Sequence, residues 1–239
     1  GSYMRFKVVE NVKVLLRSNR DETAVSASYN GKPLANEVVA PDPDLTVLQW
    51  PVIDQNFRSL RVDFSSLGSP DVYGVALDCN RGIALDNIAM RGSSALEFTQ
   101  INRSFFKEQV EKLNTKFMIL QFGVNVVPKV LDDYKWYENA IHHQLKYLKS
   151  LAPDIDILVV GLSDMSRKKG TSYETYPNVE LIRDAQKNAA FRAGCAFWDL
   201  YKAMGGRNSM VSWVQADPPL AATDFTHFTR RGAQLVAEM

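Results

Sequence analysis

The sequence has 239 residues, of which 46% are hydrophobic and 23% are charged, a composition typical of a folded globular protein. The 28 basic and 27 acidic residues give a net charge of +1, which argues against binding to nucleic acid or to an anionic membrane surface. No apolar run reaches the ~18 residues that a membrane-spanning helix needs, and no signal peptide begins the chain. Gly1-Ser2 resembles the remnant of a protease site, so we expect the natural protein to begin further upstream.

Residues 3–80 are predicted to form a small all-β domain, an antiparallel sandwich. Short runs of β-branched residues, some of them alternating with polar ones, are separated by linkers rich in Asn, Asp, Pro and Gly. The pair Asn30-Gly31 marks a tight turn between two strands. The predicted strands are 6–9, 12–16, 23–29, 45–50, 59–64 and 72–78.

Residues 81–239 alternate between predicted strands and helices, which indicates an α/β domain with a parallel sheet. The run 117–122 is continuously apolar, and this is typical of a strand that is covered on both faces. The predicted strands are 87–90, 117–122, 155–160 and 195–200, and the predicted helices are 94–113, 134–151, 177–193 and one that begins at 229.

Three histidines limit the choice of a general base that works near neutral pH. His142 and His143 follow the core position Ile141 on a predicted helix, and we expect both to face solvent. His227 lies in a loop three residues after Asp224, whose carboxylate can fix the imidazole tautomer and stabilise the imidazolium. The alternative is a helix N-terminus that Asp224 caps, with no chemical role for His227.

Two loops that follow predicted strands offer hydrogen-bond donors to an oxyanion. Asn125, in Gly123-Val124-Asn125, presents a side-chain amide, and Gly92 presents a backbone N–H. The alternative for both loops is a simple turn, in which Gly and Asn tolerate a left-handed backbone.

Cys79 and Cys195 give no disulfide framework, and the histidines and cysteines show no spacing typical of metal ligands. We therefore predict no metal and no cofactor. Cys195 lies in an apolar run and is expected to be buried.

Gly92, Gly123-x-Asn125 and Asp224-x-x-His227, in that order, resemble the SGNH (GDSL-type) hydrolase superfamily over about residues 86–239. The similarity extends to the branch of carbohydrate and peptidoglycan O-acetyl esterases in which a β-sandwich interrupts the catalytic domain. Further segments that resemble this branch are 161–166, 176–178, 183–185, 205–210, 217–220 and 227–233.

The resemblance implies a flavodoxin-like three-layer α/β/α domain over residues 81–239, preceded by the sandwich. It implies that His227 is the general base, that Asp224 orients it, and that Gly92 and Asn125 form the oxyanion hole. The implied reaction removes a small acyl group, acetyl above all, from an acylated carbohydrate or peptidoglycan through an acyl-enzyme. Enzymes of this type work in the periplasm or outside the cell, so this chain is expected there by analogy.

The nucleophilic serine of the family belongs to a Gly-Asp-Ser motif, and the sequence contains no Gly-Asp-Ser. In this branch the motif precedes the sandwich, so we expect it upstream of residue 1, with an upstream segment or another chain completing the sheet. Local serines are poor substitutes: Ser93 and Ser94 are expected to cap a helix, and Ser163 and Ser166 are expected to lie in turns.

Two other functions remain open at this point. If the same site transfers the acyl group to a sugar acceptor in place of water, the protein is an O-acyltransferase. The other alternative is a glycan-binding module on a non-catalytic remnant, which exposed aromatic side chains such as Tyr29, Trp50 or Phe57 favour. Trp50 ends an apolar strand, a position that more often belongs to a core.

Overall fold

The computed structural model describes residues 9–52 and 56–239, and the chain is a mixed α/β protein. It divides into two compact units, one ending at Ala89 and the other starting at Met90. Within the described ranges, no helix combines the length and the hydrophobicity that crossing a bilayer requires.

The first unit contains two antiparallel sheets of three strands each. Its strands are β1 (Asn11–Arg17), β2 (Thr23–Tyr29), β3 (Lys32–Val39), β4 (Thr46–Pro51), β5 (Leu60–Ser66) and β6 (Asp71–Asp78). One sheet has the order β4-β1-β6 and the other has the order β3-β2-β5. Buried side chains of both sheets, among them Val14 of β1 and Val25 of β2, share one hydrophobic core.

Five of the strands predicted in this region are confirmed, at 12–16, 23–29, 45–50, 59–64 and 72–78. The prediction at 6–9 lies outside the described residues except for Val9, which is buried. β3 was not predicted, because its only buried residue is Val39 and its exposed positions carry no apolar alternation. It follows the Asn30-Gly31 turn, where both residues have positive φ, 48° and 76°, as expected.

Three aromatic residues of this unit, Tyr29, Trp50 and Phe57, pack against its core. Trp50 is buried, with only 4% of its surface exposed. Tyr29 and Phe57 are half-buried against the same core, and their rings stack at 6.4 Å between centroids. None of the three therefore presents the open aromatic surface that a glycan-binding module favours.

The second unit contains a parallel sheet, a short hairpin and six α-helices among its described residues. The sheet consists of β7 (Phe117–Gln121), β8 (Asp156–Val160) and β11 (Ala196–Trp198), in the order β11-β8-β7. The hairpin consists of β9 (Ser166–Lys169) and β10 (Ser172–Thr175). The helices are α1 (Arg103–Lys112), α2 (Lys135–Leu151), α3 (Val179–Arg192), α4 (Leu200–Ala203), α5 (Ser209–Gln215) and α6 (Arg230–Glu238).

The central strand β8 has apolar side chains on both faces. Ile157 and Val159 pack with residues of α2 and α3, whereas Leu158 and Val160 pack in a second core that includes α4, α5 and α6. A side-chain period of two places these pairs on opposite faces of the sheet. This burial on both faces explains the apolar residues at 157–160.

β7 differs from the prediction that both of its faces are covered. Phe117 and Ile119 are 49% and 53% exposed, whereas Met118 and Leu120 pack against the core that contains α2. β7 is an edge strand of the described sheet, paired only with β8. The prediction was wrong for the outer face, which no described element covers.

Two further predictions were wrong. Residues 87–90 do not form a strand, and Ile88 is 74% exposed, because no strand of the described chain pairs with this segment. The helix predicted over 94–113 is interrupted: a 3-10 turn at Phe98–Gln100 precedes α1, and the extended backbone of Ile101 separates the two. Asn102 caps α1, and its side chain accepts from the Phe105 N–H at 3.0 Å.

The histidines of α2 differ from each other. His143 is exposed, as predicted. His142 is half-buried, and its Nδ1 atom is enclosed without a hydrogen-bond partner among the described residues, so the prediction of a solvent-facing ring was wrong for it. Cys195 is buried, as expected, and Cys79 is exposed.

Candidate active site

Asp224 and His227 are in direct contact. The Nδ1 atom of His227 lies 2.7 Å from Oδ2 of Asp224, and the two side chains are 77% and 50% exposed. The other carboxylate oxygen, Oδ1, accepts from the backbone N–H groups of Thr226 and His227, both at 3.0 Å. The carboxylate therefore orients the imidazole, while the rest of the ring is open to solvent.

These contacts determine the charge of the carboxyl group. Partial burial raises the pKa of Asp224, but the hydrogen bonds from the His227 N–H, the His227 imidazole and the Thr226 N–H outweigh it, so the pKa is lowered. An ionised carboxylate accepts a hydrogen bond from Nδ1–H, which keeps the proton of the neutral ring on Nδ1 and leaves Nε2 as an acceptor. Nε2 is then available to take a proton from a nucleophile.

Asp224 does not cap the helix that follows it. The N-cap of α6 is Thr229, whose hydroxyl accepts from the Gly232 N–H at 3.2 Å and donates to the Pro219 carbonyl at 2.8 Å. The structure therefore does not support the interpretation of Asp224 as a simple helix cap.

Phe225, between the two members of the pair, has an unusual backbone conformation. Its φ is +58°, in the left-handed region, which costs a residue other than glycine about 1–2 kcal/mol. Three contacts hold it there: its N–H donates to the Ala222 carbonyl at 3.0 Å, its carbonyl accepts from the Ser166 N–H at 3.2 Å, and its ring stacks on Tyr173 at 3.7 Å between centroids. Ser166 and Tyr173 belong to the β9–β10 hairpin, so this hairpin compensates the strain in part.

The pair lies near the carboxyl end of the parallel sheet. The Ser166 N–H that bonds to Phe225 belongs to the segment that follows β8. Gln186 of α3 is buried and links this segment to the one after β7, accepting from the Leu162 N–H and donating to the Phe122 carbonyl, both at 2.9 Å. The loops after β7 and β8 are therefore joined at the edge where α/β proteins bind ligands.

Asn125 follows β7 and contacts the turn that contains Gly92. Its side-chain nitrogen donates to the Ser93 carbonyl at 2.9 Å. Gly92 has a φ of +78° and open space where a side chain would begin. The structure thus brings Asn125 to the Gly92-Ser93 turn and His227 to Asp224, with no hydrogen bond between the two groups in the described part of the chain.

The serines near the site are buried or half-buried, and the hydroxyl of one of them is already hydrogen-bonded. Ser93 is buried, accepts from the Ala95 N–H at 2.9 Å and donates to the Glu97 carboxylate, so it holds a turn. The prediction that it caps a helix was wrong, since α1 begins ten residues later at Arg103. Ser163 and Ser166 are each 5% exposed. None of these three hydroxyls is open to a substrate in solution.

Ser94 lies beside this turn and is only half-buried. Its carbonyl accepts from the Tyr137 hydroxyl at 3.1 Å, which ties it to α2. It does not cap a helix either, because the cap of α1 is Asn102.

One buried carboxylate near the site was not singled out from the sequence. Asp164, after β8, is 0% exposed and accepts from Thr175 Oγ1 at 3.1 Å and from the Met165 and Met210 N–H groups, both at 2.9 Å. Burial raises the pKa of Asp164, although these hydrogen bonds lower it in part. Within the described ranges, no three His, Cys, Asp or Glu side chains gather as a metal site requires.

Comparison with solved structures supports the fold. The chain aligns over 98% of its length with a structure described as a peptidoglycan O-acetylesterase in action, with a TM-score of 0.67 and 17% sequence identity. It spans 63% of that esterase's chain. This alignment shows that the chain shares the fold of that esterase.

Two other structures align less well. A protein from Bacillus subtilis has a TM-score of 0.43 and 13% identity, over 97% of this chain and 75% of that one. A family two carbohydrate esterase from Clostridium thermocellum in complex with cellohexaose has a TM-score of 0.29 and 10% identity, over 80% of this chain and 78% of that one. No protein-family model and no curated protein sequence matches the chain.

Proposed function

We propose that the protein is a carboxylic ester hydrolase that removes acetyl groups from a polysaccharide or peptidoglycan, with His227 as general base. The observation that carries this proposal is the 2.7 Å contact between His227 Nδ1 and Asp224, with the imidazole 77% exposed. A carboxylate that holds a solvent-open imidazole in one tautomer is the arrangement that activates a hydroxyl nucleophile. The fold shared with a peptidoglycan O-acetylesterase supports the choice of substrate.

In the proposed reaction, a serine hydroxyl attacks the carbonyl carbon of the acetyl ester while His227 Nε2 takes its proton. The negative charge that develops on the carbonyl oxygen is stabilised by the Gly92 N–H and the Asn125 amide. The imidazolium then gives its proton to the departing sugar oxygen. Water, activated by the same imidazole, attacks the acetyl-enzyme, releasing acetate and restoring the serine.

The nucleophilic serine is proposed to come from a segment outside these 239 residues, because no Gly-Asp-Ser occurs in them. The open edge of β7 and its exposed Phe117 and Ile119 support the addition of another strand there. The shorter length of this chain relative to the esterase that it aligns with is consistent with this proposal. Such a protein is proposed to act in the periplasm or outside the cell.

A serine-reactive fluorophosphonate tests the proposal directly. We expect no adduct on this chain, and one adduct on the Gly-Asp-Ser serine of a protein extended upstream. In that extended protein, His227→Ala should lower acetate release from acetylated peptidoglycan or xylan roughly 10³-fold or more, and Asp224→Asn should have a similar effect. His143→Ala, which changes an exposed histidine, serves as the control.

Three results would contradict the proposal. An adduct on this chain that disappears in His227→Ala would place the nucleophile inside it. An extended protein that is neither labelled nor able to release acetate would not be an esterase of this type. Acetyl transfer to an added sugar acceptor, in place of hydrolysis, would identify an acyltransferase.

A further inference from the structure

We propose that Tyr173 of the β9–β10 hairpin is a positioning residue, which keeps His227 in its productive orientation by holding the ring of Phe225. The role of His227 rests on the function proposed above, but the positioning can be measured without activity. It follows from three observations: the ring stack, the backbone conformation of Phe225, and the way in which the hairpin is anchored.

The stack is a close face-to-face contact between two aromatic rings. The Tyr173 and Phe225 rings lie 3.7 Å apart between centroids, with an angle of 10° between their planes. Tyr173 is 40% exposed, so the contact lies at the surface. Phe225 belongs to the same short segment as His227. The two residues lie far apart in sequence, and the stack therefore links the hairpin to the turn that carries the Asp224–His227 pair.

The conformation of Phe225 controls the geometry of the pair. Asp224 Oδ1 and Oδ2 receive the backbone N–H and the imidazole of His227, and Phe225 and Thr226 lie between these two residues. A positive φ at Phe225 folds the chain back so that both contacts form together. If the φ of Phe225 relaxes to a negative value, the direction of the chain changes between the carboxylate and the imidazole.

The hairpin is anchored at its base and is therefore a rigid support. Thr175, on the same face as Tyr173, contacts Asp164 through its hydroxyl at 3.1 Å, and its N–H donates to the Asn208 side chain at 3.1 Å. On the opposite face, Glu174 pairs with Lys169 at 2.9 Å. The Tyr173 ring thus projects from a fixed strand onto the ring of Phe225.

Nuclear magnetic resonance of this chain tests the proposal on the imidazole itself. In the wild type we expect the ¹⁵N shifts of neutral His227 to show the proton mainly on Nδ1, where Asp224 accepts it. Tyr173→Leu should shift the ring toward the tautomer mixture of free histidine, whereas Tyr173→Phe, which keeps the stack, should leave the signals unchanged. Phe191→Leu is the matched control, since Phe191 is 57% exposed on α3 and stacks edge-on with Phe197.

Activity of the upstream-extended protein gives a second, independent measurement. Tyr173→Leu should lower kcat by about 10- to 100-fold with little change in KM. Tyr173→Phe, which keeps the ring, should have the kcat of the wild type. Backbone amide spectra of each variant establish that the chain remains folded.

A Tyr173→Leu variant that is folded and retains the wild-type His227 tautomer would overturn the proposal. Loss of the tautomer in Tyr173→Phe as well would also overturn it, because the hydroxyl and not the stack would then matter. If the tautomer changes as expected and the extended protein has no esterase activity at all, the positioning stands and the proposed function fails.

Discussion

The side-chain amide of Asn125 donates a hydrogen bond to the carbonyl of Ser93 at 2.9 Å, which joins the loop after β7 to the Gly92-Ser93 turn. The residue proposed for the oxyanion hole is therefore also a structural link. An amide nitrogen carries two protons, so one can hold Ser93 while the other faces a substrate. Removal of the side chain should therefore lower both the stability of the protein and its activity.

We expect Asn125→Ala to lower the free energy of unfolding by about 0.5–1.5 kcal/mol, as for one hydrogen bond. In the upstream-extended protein it should also lower kcat by roughly 10²- to 10³-fold, as for one oxyanion donor. Urea unfolding and acetate release measure the two effects. Asn36→Ala on the exposed part of β3 is the control. A stability loss with unchanged kcat would leave Asn125 only its structural role.

The two carboxylates near the site should affect the pH dependence of stability in opposite directions. The pKa of Asp224 is lowered below 3.8, so its contribution is present above that value and is lost as the pH falls. The pKa of Asp164 is raised above 3.8, so its contribution is present at low pH and is lost as the pH rises through the raised value.

Unfolding in urea between about pH 3 and pH 7 tests this pair of effects. Asp224→Asn should flatten the rise in stability at the acidic end. In the wild type, ionisation of Asp164 lowers the stability as the pH rises, and Asp164→Asn should remove this loss. The free energy of unfolding of this variant should therefore increase more with pH than that of the wild type. Asp154→Asn, which changes an exposed carboxylate, is the control. Profiles that change in the same direction for Asp224→Asn and Asp164→Asn would contradict the assignment.

Gly232, in the first turn of α6, lies directly against the segment that precedes the His227 loop. A Cβ atom at this position would lie 1.9 Å from the Leu220 carbonyl oxygen, a backbone atom that cannot rotate away. We expect Gly232→Ala to destabilise the protein by about 1–3 kcal/mol or more, since the helix must move.

Gly74→Ala in β6 is the matched control, because it has open space and no positive φ. It should change stability by no more than about 1 kcal/mol. Thermal unfolding of both variants measures the difference. Equal melting temperatures for the two would show that α6 does not pack as described.

The open edge of β7 should make this chain associate with itself at high concentration. Phe117 and Ile119 are 49% and 53% exposed on an edge strand, and such strands favour edge-to-edge pairing. We expect Ile119→Lys to reduce association in sedimentation while changing stability by less than about 0.5 kcal/mol. Trp136→Lys, which replaces an apolar side chain 43% exposed on α2, should not reduce it. Association that persists in Ile119→Lys would assign it to another surface.

Elements whose pattern depends on their own residues could be predicted from the sequence. β2 occupies the predicted range Thr23–Tyr29, and α2 starts one residue after the predicted position. In both cases the apolar period matches the element's geometry and one face is buried locally. The contact of Asp224 with His227 belongs to the same class, because both residues lie in one four-residue segment of a loop.

Other features depend on contacts between segments that are distant in sequence, and local sequence patterns do not predict them. Residues 87–90 have the composition of a strand but form none, since a strand exists only where a partner supplies its hydrogen bonds. The β9–β10 hairpin, with charged residues and little alternation, is held by Asp164 and Asn208 from outside it. The stack of Tyr173 on Phe225 depends on that placement. Local sequence thus predicts residues for the proposed chemistry, such as Asp224 and His227, whereas contacts between distant segments set the placement of the loop that carries them.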